Sequence, residues 1–354
     1  MTDLEKLCSR VTEAADCAVI TDDVNRRYFT AMKSSAGTLV VFPEKAYFII
    51  DFRYIEKAKK TVTACEVILQ DKLYEQINSL IEKHGAKTVS VNADTCTLSE
   101  LIAYQQKLNA EVIADTKLAE IIREIRTVKS QEQIDKIIIA QRIAEKGFAH
   151  MLDFIKVGRT EKEIQLELDY YMLKNGAEAL SFDTIALSGS NTSLPHGVPS
   201  DKKIESGEFV LMDFGATYDG WHSDMTRTVC VGKPSDKMKS VYETVLTAQL
   251  TALDAVKAGM SGKALDKIAR DIITEAGYGD NFGHSLGHGV GVEIHESPYA
   301  SPSREDILPE NSIVTVEPGI YLEGKFGVRI EDFVVVTENG CINMTKAPKE
   351  LICL

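Results

Sequence analysis

Two pairs of predicted helices, each followed by a β-rich stretch, constrain the fold of the second part of this chain. The first helix begins after Ser130, and its apolar residues recur at spacings of three and four. The second begins at Thr160, a predicted N-cap with Glu163 at the capping-box position. Helical spacing returns over residues 237–257 and 262–276. The repeated order of helix, helix and strands predicts an α+β fold with a duplicated ααββ domain, although no sequence repeat can be aligned.

The first part of the chain follows a different pattern, in which short strands alternate with helices. The β-rich runs 38–42 and 46–50 flank a Pro-Glu-Lys turn, which predicts a hairpin. Helical spacing follows in two later segments. We therefore expect an α/β domain over residues 1–124, a charged helical linker around 119–130, and a second domain over residues 125–354.

Charge and cysteine usage limit the partners and the location of the protein. The net charge of −13 leaves no basic surface for a nucleic acid. The seven cysteines include no Cys-x-x-Cys pair, which is typical of reduced thiols in the cytoplasm. The first ten residues lack the apolar core of a signal peptide, and no apolar run reaches the ~18 residues of a membrane span. These features predict a cytoplasmic protein with no membrane or nucleic-acid partner.

Two aspartates flank a predicted hairpin in the segment 210–229. Asp213 lies where an apolar strand ends, and Asp224 precedes a second β-rich run. A hairpin of this size returns the second carboxylate beside the first. Two carboxylates held close together repel each other at neutral pH, so they require a proton or a cation between them. The alternative interpretation is that each aspartate only caps a turn.

Histidines are concentrated in the glycine-rich segment 283–296. It contains His284, His288 and His295, three of the seven histidines in the chain. Glycines in the segment allow a ligand to approach the backbone closely. A single histidine is more often structural than functional, but three in one glycine-rich segment favour a functional site. His196 lies on a predicted turn upstream of them.

Charged residues also occur at the end of one predicted strand and inside another. Glu317 follows the strand 313–316 and precedes a Pro-Gly turn, where it either serves a site or pairs with a lysine. Arg329 and Glu331 are two residues apart in the apolar run 327–336, so they share one face of that predicted strand. Charges in such a position are seldom buried without partners. A metal or a substrate would supply the partner.

Together these residues favour a site for two divalent cations. The set has four carboxylates and one imidazole, from Asp213, Asp224, His288, Glu317 and Glu331. It is too acidic for a structural zinc site, which prefers cysteine and histidine. Carboxylates suit oxygen-preferring ions, and a water that bridges two such ions becomes a hydroxide nucleophile near neutral pH. The other histidines would then protonate or stabilise the reacting groups.

The motifs resemble those of the Xaa-Pro aminopeptidases (aminopeptidase P) and the related Xaa-Pro dipeptidases (prolidases). The matching segments, in family order, are MDFGATYDGWHSDMTRT, GHSLGHGVGVEIHE, TVEPGIY and GVRIED. The resemblance covers nearly the whole chain and implies a creatinase-like α/β N-terminal domain followed by a pita-bread catalytic domain. It also implies a metallopeptidase that removes the N-terminal residue from small Xaa-Pro peptides by attack of a metal-bridging hydroxide. Family members are commonly homodimers.

The resemblance also implies a role for each metal ligand. Asp213 matches a residue that chelates one ion, and Asp224 and Glu331 match residues that bridge both ions. His288 and Glu317 match the ligands of the second ion, and Glu317 also takes the proton from the hydroxide. The implied ions are manganese or cobalt, with zinc as the alternative.

Further residues match family positions that contact the substrate. His196 and His295 match the histidines that orient the scissile carbonyl and stabilise the tetrahedral intermediate. His222 matches no family histidine and is interpreted as incidental. The remaining positions near the metals or the substrate are matched by Tyr218, His284 and Arg329.

Related proteins with other functions provide the competing interpretations. Creatinase-like amidinohydrolases and non-catalytic binding modules share the fold but lack the metal ligands, and all five ligands are present here. The large N-terminal domain and the context of residues 328–331 argue against a methionine aminopeptidase.

The choice between an aminopeptidase and a strict dipeptidase depends on the segment after His295. A dipeptidase must bind a free carboxylate directly after the proline, usually with an arginine. Prolidases carry such an arginine shortly after the position of His295, whereas this chain has Tyr299 and no arginine before Arg304. We therefore favour the aminopeptidase and keep the dipeptidase as the alternative.

Overall fold

The computed structural model describes all residues from Met1 to Leu354. The chain separates into two compact units, Met1–Arg126 and Thr127–Leu354. Each unit contains two hydrophobic clusters of its own. None of the helices is both long enough and apolar enough to cross a membrane.

The first unit is built on one six-stranded mixed sheet. Its strands, in chain order, are β1 Cys17–Ile20, β2 Thr38–Val41, β3 Ala46–Ile50, β4 Glu66–Leu69, β5 Thr88–Val91 and β6 Glu111–Ile113. They are arranged in the order β4-β3-β2-β1-β5-β6. Strand β2 runs antiparallel to β1 and β3, and the outer pairings are parallel. The predicted hairpin is therefore confirmed as β2–β3.

Six helices accompany this sheet, and both of its faces are buried. The helices are α1 Asp3–Arg10, α2 Asp23–Thr30, α3 Ile55–Thr61, α4 Leu73–His84, α5 Leu98–Lys107 and α6 Lys117–Thr127. In β1, Ala18 and Ile20 pack into one hydrophobic cluster, while Cys17 and Val19 pack into the other. Burial on both faces explains why these strands read as continuous apolar runs.

Helix α6 occupies the region predicted to be the linker. Its exposed charges include Arg123 and Glu124. Its other side packs into a hydrophobic cluster of the first unit through Leu118, Ile121, Ile122 and Ile125. The region is therefore helical, as predicted, and most of it is an amphipathic helix that packs on the first unit.

The helices of the second unit form the two predicted pairs. They are α7 Gln131–Phe154, α8 Glu161–Lys174, α9 Asp236–Ala255 and α10 Gly262–Glu275. Each begins at a hydroxyl side chain that accepts a hydrogen bond from a backbone N–H three residues later, namely Ser130, Thr160, Ser235 and Ser261. Thr160 and Glu163 form the predicted capping box.

The strands of the second unit fall into two sets, one after each helix pair. The first set is β7 Ala179–Leu180, β8 Ile185–Ser188, β9 Glu208–Phe214, β10 Ala216–Tyr218, β11 Trp221–His222 and β12 Met225–Val231. The second set is β13 Gly287–Gly289, β14 Glu296–Ala300, β15 Ile313–Val316, β16 Gly319–Leu322, β17 Phe326–Arg329, β18 Asp332–Thr337 and β19 Gly340–Asn343. The main sheets are β12-β9-β8 and β15-β18-β19.

Each helix pair packs on the strands that follow it. Helices α7 and α8 share one hydrophobic cluster with β8, β9 and β12. Helices α9 and α10 share another with β15, β17 and β18. The predicted α+β fold class, with a duplicated ααββ architecture in the second unit, is confirmed.

Candidate metal centre

The hairpin of β9 and β12 brings two acidic residues onto one face. The strands are antiparallel, and Asp213 lies opposite Thr226. Asp224 is two residues before Thr226 and therefore points to the same side. The backbone at Gly215 packs directly against the backbone at Ser223, because a Cβ on Gly215 would lie 1.9 Å from the carbonyl oxygen of Ser223. The predicted hairpin is present, and its close end requires glycine.

His288 lies between carboxylates that adjoin different strands. Its backbone N–H donates to Thr315 Oγ1 at 3.0 Å, which attaches β13 to β15. Its Nε2 atom is 3.6 Å from Asp224 Oδ2 and 3.5 Å from Glu317 Oε1. The strand set that follows α9 and α10 therefore places an imidazole and a carboxylate close to Asp224, which belongs to the strand set that follows α7 and α8.

Glu331 joins this group at the break between β17 and β18. Thr226 Oγ1 donates to Glu331 Oε2 at 2.7 Å and accepts from Arg329 Nε at 3.1 Å. Arg329 and Glu331 thus contact the same side chain, as their spacing predicts. The prediction of one continuous strand over 327–336 was wrong, because the Glu331 N–H donates to Thr226 O and leaves the strand ladder.

The arrangement has two features of a metal site, which are clustered ligand atoms and a buried carboxylate oxygen that lacks a hydrogen-bond partner. Ligand atoms of Asp224, His288 and Glu331 all lie within 4.8 Å of one another. Asp213 Oδ1 is buried and has no hydrogen-bond partner, which is uncommon for a buried carboxylate oxygen. Carboxylate oxygens with one imidazole are ligands that suit divalent cations. The residues present therefore fit bound metal ions.

Burial makes the ionised carboxylates unfavourable in the absence of a cation. Burial and the charge of Glu331 raise the pKa of Asp224 well above its usual value. Burial also raises the pKa of Glu317 to about 8. It lowers the pKa of His288 to about 4, so the imidazole is neutral and able to bind a metal. A divalent cation would offset the repulsion among the carboxylates.

A line of hydrogen bonds connects Asp213 with His284. Arg329 Nη2 donates to Asp213 Oδ2 at 2.6 Å, and Nη1 donates to Tyr321 Oη at 2.8 Å. Tyr321 Oη lies 2.8 Å from His284 Nε2. All of these residues except Tyr321 are singled out in the sequence. Tyr321 ends the motif TVEPGIY, but no role was assigned to it from the sequence.

His295 and His196 are both exposed residues. The ring centroids of His295 and His288 are 4.3 Å apart. Burial lowers the pKa of His295 against the opposing effect of Asp213. His196 contributes to the lowered pKa values of both His284 and His295, which places it near them. Two solvent-accessible imidazoles therefore stand beside the buried ligand group.

Two residues discussed in the sequence analysis, Tyr218 and His222, lie on the β10–β11 hairpin. Tyr218 pairs with Trp221 and packs against the hydrophobic cluster of the first half. No hydrogen bond or ion pair of Tyr218 reaches the carboxylates, so its predicted place near the metals stays a prediction. His222 Nδ1 lies 3.3 Å from Thr217 Oγ1.

Arg227 holds the backbone of Glu331, a role that was not assigned to it although it lies in the motif MDFGATYDGWHSDMTRT. Arg227 is fully buried; its Nη1 donates to Glu331 O and its Nη2 to Asp332 Oδ1, at 2.6 and 2.7 Å. Asp332 Oδ2 also accepts from Lys349 Nζ at 2.7 Å and from Asn343 Nδ2 at 2.6 Å. The segment that carries Glu331 is therefore attached to the C-terminal segment by buried ionic contacts.

Another buried ion pair lies next to His295 in the chain. Lys129 Nζ donates to Glu296 Oε1 at 2.7 Å, and the side chains are 0% and 6% exposed. Lys129 Nζ also donates to Thr127 O at 3.2 Å. Because Glu296 follows His295 directly, this pair fixes the start of β14 beside the site.

We expect Lys129→Ala to lower the free energy of unfolding by about 3–5 kcal/mol, because removing one partner leaves a buried charge uncompensated. Urea denaturation followed by circular dichroism measures the change. Lys136→Ala is the control, since Lys136 pairs with Glu132 and Asp219 near the surface. It should cost about 1 kcal/mol or less. Equal effects of the two substitutions would contradict a stabilising role for the buried pair.

Comparisons with known proteins show similarity along nearly the whole chain. The model of metallopeptidase family M24 matches residues 135–338, and that of the creatinase/prolidase N-terminal domain matches residues 4–128. The chain is 40% identical over 352 residues to an Xaa-Pro dipeptidase of Pyrococcus furiosus, covering 99% of each chain. The solved Xaa-Pro dipeptidase from Bacillus anthracis matches with a TM-score of 0.96 and 42% identity over 99% of both chains. An X-Pro aminopeptidase from Thermotoga maritima matches with a TM-score of 0.91 and 38% identity, over 96% of this chain and 98% of that one.

Proposed function

The chain belongs to metallopeptidase family M24, and from this premise we propose that it removes the first residue from peptides whose second residue is proline. The observation that carries the proposal is the convergence of His288 with carboxylates that adjoin separate strands. Relatives named Xaa-Pro dipeptidase and X-Pro aminopeptidase support the substrate class. A peptidase cleaves a peptide bond by hydrolysis, so the family and these relatives imply a hydrolase.

The carboxylate group is proposed to hold two divalent cations. Its ligands would be Asp213, Asp224, His288, Glu317 and Glu331. When bound, the ions supply Lewis-acid polarisation of the scissile carbonyl and acidify a water into a nucleophile. We propose manganese or cobalt as the ion, with zinc as the alternative, because carboxylate oxygens dominate the ligand set.

The side chains around the metal centre would bind the peptide and transfer the protons that the reaction requires. The exposed imidazoles of His196 and His295 would donate to the scissile carbonyl oxygen as it gains negative charge. The Glu317 carboxylate would accept a proton during the attack and pass it towards the leaving nitrogen. Arg329 would keep Asp213 oriented through the hydrogen bond between them.

The segment after His295 supports an aminopeptidase over a strict dipeptidase. The Arg304 guanidinium lies 4.1 Å from the centre of the Tyr299 ring, and its Nε donates to Asp306 Oδ1 at 3.2 Å. Its cation is therefore already engaged by a carboxylate of the same loop. A peptide carboxylate directly after proline would have to compete with Asp306 for it.

We expect Xaa-Pro-Yaa tripeptides to be cleaved at the Xaa-Pro bond at least as well as Xaa-Pro dipeptides. A charge-assisted contact to the terminal carboxylate is worth roughly 1.5–3 kcal/mol, so a dipeptidase would favour dipeptides by about tenfold or more in kcat/KM. The assay compares both substrate classes on manganese-loaded wild type and on Arg304→Ala.

Arg159→Ala is the matched control, because Arg159 also lies over an aromatic ring, that of Phe154, at 4.3 Å. We expect all three proteins to show the same ratio of tripeptide to dipeptide cleavage. A dipeptide preference that disappears only in Arg304→Ala would make the chain a strict dipeptidase instead.

We also propose that the protein is a cytoplasmic homodimer that acts on small peptides. All seven cysteines are free thiols, which supports a reducing compartment. The dimer rests on the family resemblance, and light scattering would measure it. In the same proposal, residues 1–124 form the creatinase-like domain and residues 125–354 form the catalytic domain.

A further inference from the structure

A buried carboxylate outside the proposed metal centre holds the loop that carries His196. Glu161 is the first residue of α8 and is 1% exposed. Its hydrogen bonds come from backbone amides, hydroxyl groups and one side-chain amide. Burial of a carboxylate is costly unless such donors satisfy it.

The two oxygens of Glu161 hold opposite ends of one loop. Oε1 accepts from the backbone N–H and the hydroxyl of Ser188, at 2.7 and 3.1 Å. Oε2 accepts from the backbone N–H and the hydroxyl of Ser200, at 3.0 and 2.6 Å. Asn191 Nδ2 reaches both oxygens, at 3.0 and 3.2 Å. One side chain therefore connects the end of β8 with the end of the loop 189–199.

The two large apolar side chains of the loop point towards solvent. Leu194 is 53% exposed and Val198 is 80% exposed. Its middle is attached to β17 by polar contacts, since Thr192 Oγ1 accepts from the Gly327 N–H at 2.8 Å. Pro195 O, directly before His196, accepts from Arg329 Nη1 at 3.4 Å. Hydrogen bonds therefore hold the loop at its middle as well as at its two ends.

The negative charge of Glu161 strengthens the hydrogen bonds that hold the loop. Hydrogen bonds to an ionised acceptor are roughly twice as strong as those between neutral groups. The start of a helix also favours a negative charge. A glutamine in its place would keep the volume but would turn an –NH₂ group towards one of the serine N–H donors. Donor would then face donor at one end of the loop.

We propose that Glu161 is a positioning residue that fixes the loop 189–199, and with it His196, beside the metal centre and so sets the affinity for the peptide. The inference rests on the proposed function for its kinetic consequence. Its structural part, the attachment of both loop ends to Glu161, is measurable without any substrate.

The kinetic test is a double-mutant cycle with Glu161→Gln, His196→Ala and the double variant, each loaded with manganese. We expect Glu161→Gln to raise KM for an Xaa-Pro-Yaa peptide by about tenfold with a smaller change in kcat. In the His196→Ala background, the same substitution should have little further effect. Glu163→Gln is the control, because it lies in the same helical turn and glutamine also forms the capping box.

The structural test is hydrogen exchange of peptides that contain Ser188 and Ser200, measured on wild type, Glu161→Gln and Glu163→Gln. Exchange at these amides should accelerate only in Glu161→Gln. If that variant does not fold, Ser200→Ala removes the 2.6 Å bond and should show the same changes at smaller size. Unchanged exchange would overturn the anchoring role, and additive KM effects would overturn the link to His196. Failure of wild type to cleave Xaa-Pro peptides would instead reject the proposed function and leave the exchange result standing.

Discussion

Asp224→Asn is expected to abolish peptide cleavage while the protein stays folded. Asp224 is 4% exposed, and its carboxylate lies with ligand atoms of His288 and Glu331 in one group. A bound cation contributes several kcal/mol to the transition state, and each 1.36 kcal/mol is tenfold in rate, so kcat/KM should fall on the order of 10³-fold or more. Elemental analysis should show reduced metal content.

The same substitution should not destabilise the metal-free protein. Burial and Glu331 raise the pKa of Asp224, which means that the folded state disfavours the ionised form. Above the ordinary pKa of an aspartate, such a group opposes folding, and asparagine removes that charge. After chelation, the melting temperature of Asp224→Asn should therefore equal or exceed that of wild type. Added manganese should raise the melting temperature of wild type but not that of the variant.

Asp219→Asn is the matched control for this experiment. It makes the same chemical change in the same hairpin, but the Asp219 side chain is 54% exposed and pairs with Lys136. Its activity and its metal content should match wild type. Full activity of Asp224→Asn after exhaustive chelation would reject the dinuclear metal centre.

Features that depend on neighbouring residues could be predicted from the sequence. The hairpin of β9 and β12 follows from two apolar runs that flank a glycine-containing turn, and its observed register places Asp213 opposite Thr226. The helix starts at Ser130 and Thr160 follow from capping chemistry, which acts over three residues. Periodicity and turn residues carry this information locally.

Features that depend on distant residues could not be predicted in the same way. Lys129 and Glu296 are 167 positions apart, and each alone reads as an ordinary surface charge. The break between β17 and β18 results from a hydrogen bond between Glu331 and Thr226, so the local apolar pattern gave no sign of it. Tertiary contacts of this kind decide where a side chain points after its strand has been predicted.

His295→Ala is expected to lower kcat by roughly 10²-fold or more, the usual scale for loss of an acid–base group or an oxyanion donor. Its ring lies 4.3 Å from that of His288, yet it is exposed and is not one of the three residues whose ligand atoms cluster. The metal content, measured by elemental analysis, should therefore stay near that of wild type. The assay uses a saturating Xaa-Pro-Yaa peptide so that kcat is measured apart from binding.

Two further variants separate a role in the reaction from a role in metal binding. His288→Ala should lose both rate and metal, because its neutral imidazole lies 3.6 Å from Asp224 and 3.5 Å from Glu317. His222→Ala, in the neighbouring hairpin, should lose neither. If His295→Ala behaves like His288→Ala, then His295 is a ligand or holds one in place. If it keeps its metals and loses its rate, the exposed imidazole acts on the peptide itself, as its position on the open side of the buried ligands suggests.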